Sequence, residues 1–293
     1  MNVLLLAMPD SFEHMAPVAI RMPNGALTSL AGNVDAHHTV AVADLILVQD
    51  RVLATVEQLV RDHQPDVVGL SVMTFQRRTA LRLIGHLRQW RPDLAVVVGG
   101  YDPSLATDAY FVDGSGVDVV VRGEGELTFR DLLRARESRR PLQGIPGLSW
   151  RRPGRDVAHN PDRPVSDLRR ETLALPRRSA RVPSGYTMLG RPVDVVETSR
   201  GCTFDCSFCS IIEMRGRNFH PFDLDRVLAD IADARAHGAR TIFLVDDNIT
   251  LDVGRFMSLC RAIVDAGLDD LDYIVQAMTA PIAQHGETLA PLM

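Results

Sequence analysis

Short apolar runs alternate with longer amphipathic segments along the first 140 residues of the chain. The run at residues 3–7 is continuously apolar, as is typical of a strand buried on both faces. Later runs are each followed by apolar residues at helical spacing, as in residues 79–90. The predicted strands are residues 3–7, 38–47, 66–71, 94–98 and 117–121, and the predicted helices are residues 25–32, 52–62, 79–90 and a segment ending near residue 136. This alternation predicts an α/β fold with a doubly wound parallel sheet, whose ligands sit at the carboxyl ends of the strands.

The same alternation resumes after residue 190, following a segment rich in arginine and proline. We predict a first domain at residues 1–140, a linker with a short hairpin at 141–189, and a second domain at 190–293. Predicted strands in the second domain are residues 193–197, 241–245 and 272–276, and predicted helices are a segment opening at Asp223 or Asp225, residues 253–266 and residues 287–293. Three strand–helix units are fewer than a (β/α) barrel requires, so we expect only the first part of a barrel.

Composition narrows the possible functions. The chain has 293 residues and a formal net charge of −5, which gives no general case for binding nucleic acid or a membrane. The 32 basic residues are all arginine, which excludes lysine Schiff-base chemistry. No apolar run approaches the roughly 18 residues of a membrane span, and the N-terminus lacks a basic signal-peptide region, so we expect a cytoplasmic protein.

Three of the four cysteines lie within eight residues, at Cys202, Cys206 and Cys209. They follow a β-rich run, and three thiols cannot pair among themselves without leaving one over. In a reducing compartment this spacing favours a soft metal centre over disulfides. An iron–sulfur cluster held by three thiolates keeps one iron open for another ligand. The alternatives are a structural zinc site completed by His220 or Cys260, and unconnected core cysteines; we interpret Cys260 as a buried core residue.

The motif Cys202-x3-Cys206-x2-Cys209, with aromatic Phe208 before the last cysteine, resembles the signature of radical S-adenosylmethionine enzymes. The resemblance implies a 4Fe–4S cluster whose open iron binds S-adenosylmethionine, which is then cleaved reductively to methionine and a 5′-deoxyadenosyl radical. In that family the second strand end contacts the methionine portion. Here this position reads Asp246-Asp247-Asn248 where many members have Gly-Gly-Glu. Gln276, at the third strand end, is a further polar candidate.

The first domain resembles the cobalamin-binding domain attached to many of these enzymes. Small residues end its strands, and no G-x-G-x-x-G dinucleotide motif is present. The resemblance assigns to cobalamin a set of residues that could also be ordinary turn residues: Ser71, Met73, Gly99, Gly100, Gly123 and Glu124. Asp35 and His37 begin like an Asp-x-His-x-x-Gly cobalt-ligand signature, but Val40 replaces its glycine, so we interpret His37 and His38 as loop residues. The first loop offers no histidine before His14.

Together the two resemblances cover nearly the whole chain and imply a cobalamin-dependent radical S-adenosylmethionine enzyme. The expected reaction is methyl transfer to an unactivated carbon or a phosphorus of a small-molecule substrate, with electrons from a low-potential donor such as a flavodoxin or ferredoxin. Cyclisation or rearrangement is the alternative within the family. A different class of function is an inactive cobalamin- or cluster-binding module, because the barrel is expected to be incomplete.

Overall fold

The computed structural model describes residues 1–9, 20–152, 154, 156–169 and 173–292. Two compact units form, the first mainly from Ala26–Val165 and the second mainly from Gly185–Met293. The strands are β1 Asn2–Ala7, β2 Ile20–Arg21, β3 Thr39–Asp44, β4 Val67–Ser71, β5 Ala95–Gly99, β6 Val119–Val121, β7 Leu148–Arg151, β8 Val157–His159, β9 Thr187–Met188, β10 Arg191–Val196, β11 Ser199–Arg200, β12 His220–Pro221, β13 Thr241–Leu244 and β14 Asp272–Val275. The helices are α1 Gly25–Asn33, α2 Val52–His63, α3 Arg77–Trp90, α4 Tyr101–Leu105, α5 Gly125–Glu137, α6 Ile211–Arg215, α7 Leu224–Ala236, α8 Val253–Asp265 and α9 Thr279–Leu289.

The first unit is built on a seven-stranded sheet with the order β3-β1-β4-β5-β6-β7-β8. Its first five strands are parallel, and the strand order reverses beside β1. In a doubly wound sheet, this reversal opens a ligand-binding crevice at the carboxyl ends of the strands. The predicted α/β fold of this unit is confirmed.

The sheet is covered on both faces because its central strands are apolar at nearly every position. Leu4 and Leu6 of β1 belong to a core shared with residues of α2 and α3. Val3 and Leu5 point to the opposite core, which includes residues of α1 and α5. Alternating side chains of one strand therefore stabilise two separate hydrophobic layers.

The predicted hairpin forms, but it belongs to the first sheet. β7 pairs antiparallel with β6, and β8 pairs with β7. This arrangement covers the edge that β6 would otherwise expose. Residues 148–159, predicted as part of a linker, are thus structural members of the first unit.

The second unit has a five-stranded sheet with the order β14-β13-β10-β9-β2. β10, β13 and β14 are parallel and are joined through α7 and α8, as the predicted strand–helix units require. The antiparallel strands β9 and β2 extend the sheet beyond β10. Among the described residues, no helix is long and apolar enough to cross a membrane.

Several element boundaries differ from the predictions. The strand predicted at 38–47 ends at Asp44, whose side chain accepts a hydrogen bond from Ile46 N and caps a 3₁₀ turn. The helix predicted at 287–293 is wrong in its start, because α9 begins at Thr279. His37 and His38 lie in the turn before β3, as predicted. His14 lies outside the described residues.

Candidate functional site

The three-cysteine loop spans the connection between two short paired strands. β11 and β12 align Ser199 with Pro221 and Arg200 with His220, which closes the loop at its base. Within the loop, Cys209 N donates a hydrogen bond to Cys206 O at 2.9 Å. The thiols of Cys202, Cys206 and Cys209 are all partly exposed. They are therefore accessible to an external metal centre.

The spacing of the thiols gives no support to a single-ion zinc site. Three thiolates on one tetrahedral zinc would lie about 3.8 Å apart, given bonds of about 2.3 Å. The three cysteines do not form a group whose ligand atoms all lie within 4.8 Å. Cys260 of α8 is only half-buried, a difference from the predicted core position, and burial still raises the pKa of its thiol. The 4Fe–4S assignment stays a prediction, and the chemistry of three thiolates fits it.

Asp246, two residues after the end of β13, holds the segment that leads into the loop. Its Oδ1 accepts from Thr198 N at 2.7 Å, and its Oδ2 accepts from Thr198 Oγ1 at 2.6 Å and Ser199 Oγ at 2.5 Å. Arg255 reinforces the same segment by donating to Thr198 O at 3.0 Å. Burial raises the pKa of Asp246, although these hydrogen bonds and the Arg255 charge oppose the shift.

Asp247 anchors the loop at the next position. Its Oδ2 accepts from Gly201 N at 2.8 Å, one residue before the first cysteine. Gly201 has a φ of +88°, and a Cβ there would approach Asn218 Oδ1 to 2.5 Å. Only glycine satisfies both the left-handed backbone and this close approach. The loop thus begins at a fixed point on the second unit.

The remaining strand-end candidates have different surroundings. Asn248 Oδ1 accepts from Thr250 N and Thr250 Oγ1, while its Nδ2 is buried and makes no hydrogen bond. The side chain of Gln276 is exposed. The backbone carbonyl oxygen of Gln276 accepts a hydrogen bond from Ile249 N. The oxygens of Asp246 already accept hydrogen bonds from Thr198 and Ser199. Its predicted contact with S-adenosylmethionine stays a prediction. Asn248 is the candidate with a buried donor left for a ligand.

An apolar cleft of about 100 Å³ lies at the carboxyl ends of the parallel strands in the first unit. Its walls are lined by Leu5, Ala26, Leu27, Leu30, Gly69, Leu70, Ser71, Val97, Gly99, Gly100, Val121, Gly123, Gly125 and Phe129. Four of the residues predicted to contact cobalamin are thereby brought together, namely Ser71, Gly99, Gly100 and Gly123. Met73 and Glu124 are not among the lining residues; Met73 is exposed and Glu124 precedes α5.

The glycines of this cleft make room that side chains would fill. Gly100 has a φ of +106°, and a Cβ there would lie 2.8 Å from Val72 O. A Cβ on Gly69 would lie 2.7 Å from Leu5 Cδ2, whereas one on Gly123 would meet nothing within 4 Å. A narrow apolar cleft with a backbone floor suits a flat aromatic group such as the base of the cobalamin tail. The residues present therefore fit the cofactor that the resemblance implies.

Sequence reasoning missed the residue that joins two of the cleft's turns. Ser104 Oγ donates to Gly100 O at 2.7 Å and accepts from Gly123 N at 3.0 Å. It also did not select Gly69 and Gly125. An isolated glycine inside the apolar run of β4 was the available signal for Gly69, whereas nothing in the sequence marks Ser104.

Comparison with known proteins gives one domain match and two similar full-length sequences. Residues 15–133 match the B12 binding domain. The chain is 30% identical over 270 residues to the uncharacterized methyltransferase PH0819 of Pyrococcus horikoshii, covering 92% of this chain and 58% of that protein. It is 27% identical over 273 residues to the anaerobic magnesium-protoporphyrin IX monomethyl ester cyclase of Synechocystis, covering 90% and 53%. The chain thus spans a little over half the length of these relatives.

The fold also matches a solved structure. The radical S-adenosylmethionine methyltransferase TsrM from Kitasatospora setae superposes with a TM-score of 0.78 at 22% identity, covering 99% of this chain and 57% of TsrM. At this identity the match establishes the fold, and it confirms the predicted α/β architecture. Taken together, residues 15–133 match the B12 binding domain, and the chain is similar in sequence to proteins that include a cobalamin-dependent radical S-adenosylmethionine methyltransferase, TokK of Streptomyces tokunonensis, and magnesium-protoporphyrin IX monomethyl ester cyclases.

Proposed function

We propose that this chain is the cofactor-binding portion of a radical S-adenosylmethionine enzyme that transfers a methyl group to an unactivated carbon or phosphorus of a small molecule. The observation that carries the proposal is the loop of Cys202, Cys206 and Cys209, anchored through Asp247 at a strand end, in a chain that also has a B12-binding domain. The methyltransferase names among its relatives support the choice of reaction.

In this proposal, the chain's own residues bind the cofactors and orient the cysteine loop. Cys202, Cys206 and Cys209 supply three thiolates for a 4Fe–4S cluster, and the hydrogen bonds of Asp246 and Asp247 fix the direction in which the loop leaves β10. The buried Nδ2 of Asn248 offers a donor to the carboxylate of S-adenosylmethionine. In the first unit, Gly100 and Gly123 leave space for the cobalamin tail. When bound, the cluster supplies a low-potential electron and cobalamin supplies a methyl carrier.

The proposal is tested by anaerobic reconstitution with iron, sulfide and cobalamin, followed by reaction with S-adenosylmethionine and a strong reductant. We expect 5′-deoxyadenosine and S-adenosylhomocysteine as products. Cys206→Ser should abolish both, whereas Cys260→Ser, which changes the one cysteine outside the loop, should retain them. Equal activity of the two variants would overturn the cluster assignment.

Cyclisation is the second candidate, because the chain is also related to magnesium-protoporphyrin IX monomethyl ester cyclases. The product analysis separates the two reactions. Formation of 5′-deoxyadenosine without any S-adenosylhomocysteine would exclude methyl transfer and favour cyclisation or rearrangement. We also propose that the substrate is a small molecule and that a flavodoxin- or ferredoxin-type protein donates the electron.

A further inference from the structure

Two adjacent histidines and a glutamate meet at the amino-terminal edge of the first sheet. His37 and His38 lie in the turn before β3, and Glu137 is the last residue of α5. The cleft described above lies at the carboxyl ends of the same strands, so this cluster is a separate feature. Its members come from segments 100 residues apart in the chain.

The ligand atoms of these three residues already converge. His37 Nε2 lies 3.0 Å from both carboxylate oxygens of Glu137, and His38 Nε2 lies 4.0 Å from Oε2. One ligand atom from each residue lies within 4.8 Å of the others. In a tetrahedral zinc site with bonds of about 2.0 Å, ligand atoms lie about 3.3 Å apart. The separations of 3.0, 4.0 and at most 4.8 Å lie around this value, so small side-chain rotations would complete such a geometry.

His38 gives an independent indication of a ligand. Its side chain is 0% exposed, and its Nε2 makes no hydrogen bond. Buried ring nitrogens are normally satisfied, so this atom requires an explanation. The other ring nitrogen, Nδ1, lies 3.1 Å from the amino group of Met1 and accepts from it when that group is charged, which leaves the ring proton on Nε2. A metal ion at Nε2 requires this proton to move to Nδ1 and the Met1 amine to lose one proton and accept from Nδ1, so binding releases a proton to solvent.

The Glu137 carboxylate supplies the negative charge of this cluster, and the charged Met1 amine beside His38 opposes cation binding until it loses its proton. Arg134, one turn before Glu137, is held by Asp35 through two hydrogen bonds of 2.6 and 2.7 Å. This bidentate pair neutralises the Arg134 guanidinium. The carboxylate of Glu137 therefore keeps its negative charge available to a bound ion.

The geometry points to a site for a divalent ion of the zinc class, bound by His37 Nε2, His38 Nε2 and the Glu137 carboxylate, with water as the fourth ligand. Imidazole and carboxylate ligands suit such an ion. The ion replaces the proton that His37 and Glu137 share. It cross-links the turn before β3 to the end of α5 and stabilises the first unit without entering the cofactor cleft.

The test uses the cluster-reconstituted protein without a polyhistidine tag, titrated with Zn²⁺ by calorimetry. X-ray absorption at the zinc edge identifies the ligands. We expect one zinc per chain, two imidazole ligands and no sulfur in the first shell, together with a rise in melting temperature. A sulfur-containing shell would assign the zinc to the cysteine loop and overturn the proposal, as would absence of binding.

The variants Glu137→Gln and His37→Ala change exposed side chains and leave the buried His38 in place. Each should weaken zinc binding at least about 100-fold, since even the loss of an outer-shell partner weakens metal sites by about 10- to 100-fold. His63→Ala, at the end of α2, is the matched control and should bind zinc like the parent. Parent-like affinity in both cluster variants would refute the site.

Discussion

The carboxylate of Asp246 holds both the backbone and the side chain of Thr198. Oδ1 accepts from Thr198 N at 2.7 Å and Oδ2 from Thr198 Oγ1 at 2.6 Å. Thr198 lies between β10 and β11, so this contact couples the end of β13 to the entry of the cysteine loop. Asp246, for which a contact with S-adenosylmethionine was predicted, thus stabilises the segment that leads into the cysteine loop.

Removing that carboxylate should destabilise the second unit. Asp246→Ala leaves three donors on Thr198 and Ser199 without their acceptor in a buried setting, which costs about 2–4 kcal/mol. Urea unfolding measures the loss, and iron content after reconstitution should fall with it. Asp272→Ala removes an exposed ion pair with Arg191 and should cost less than about 1 kcal/mol. Equal losses in the two variants would show that the Asp246 contacts contribute little.

The cost of Asp246→Ala should also depend on pH. Burial raises the pKa of Asp246 above its unfolded value, so the folded protein binds more protons between these two pKa values. The stability that Asp246 contributes is therefore fully present below the unfolded pKa and decreases as pH rises towards the folded pKa. Paired urea titrations should find a larger difference between parent and variant at pH 4, near the unfolded pKa, than at pH 8. The opposite order would mean that the folded-state pKa is lowered.

Gly201 should be intolerant of any side chain. In Gly201→Ala the Cβ would approach Asn218 Oδ1 to 2.5 Å at a φ of +88°, so we expect a loss of about 2–4 kcal/mol and reduced cluster incorporation. Gly267→Ala, just after the end of α8, is the matched control, since its φ is +63° and a Cβ there would meet nothing within 4 Å. That variant should lose only about 1 kcal/mol from backbone strain. Thermal unfolding measures the loss of stability in both variants, and iron analysis measures cluster incorporation. Similar iron contents in the two variants would contradict the prediction for Gly201.

Bulk at Gly123 should weaken cobalamin binding without unfolding the first unit. Gly123 lines the cleft at a φ of +69°, and asparagine tolerates this left-handed conformation. We expect Gly123→Asn to lower cobalamin affinity at least about tenfold, because its side chain would occupy space and add polarity in an apolar cleft. Absorption titrations with cobalamin measure the affinity.

Gly114→Asn is the control for that experiment. Gly114 has a similar φ of +76°, also with no neighbour within 4 Å of a Cβ, and it does not line the cleft. The Gly114→Asn variant should therefore bind cobalamin with the same affinity as the parent. If both variants bind equally well, the cleft is not where the cofactor tail sits.

The sequence by itself determined the fold class and predicted where the chemistry takes place. Continuous apolar runs such as Val3–Leu6 require burial on both faces, and their alternation with amphipathic helices leaves a parallel sheet as the solution. The spacing of Cys202, Cys206 and Cys209 predicts a thiolate metal centre, because the spacing of three nearby cysteines is a local property that is visible in the sequence. Four of the six predicted cobalamin residues also gather in one cleft.

Only the tertiary structure decided the roles that depend on partners distant in sequence. Asp246 and Asp247 were indistinguishable as strand-end acids, yet their hydrogen bonds go to Thr198, Ser199 and Gly201, more than 40 residues away. Ser104 joins Gly100 to Gly123, and Glu137 meets His37, through folding of the whole unit. Hydrophobic periodicity is a local property and is visible in sequence, whereas the partner of a polar group is selected by long-range packing.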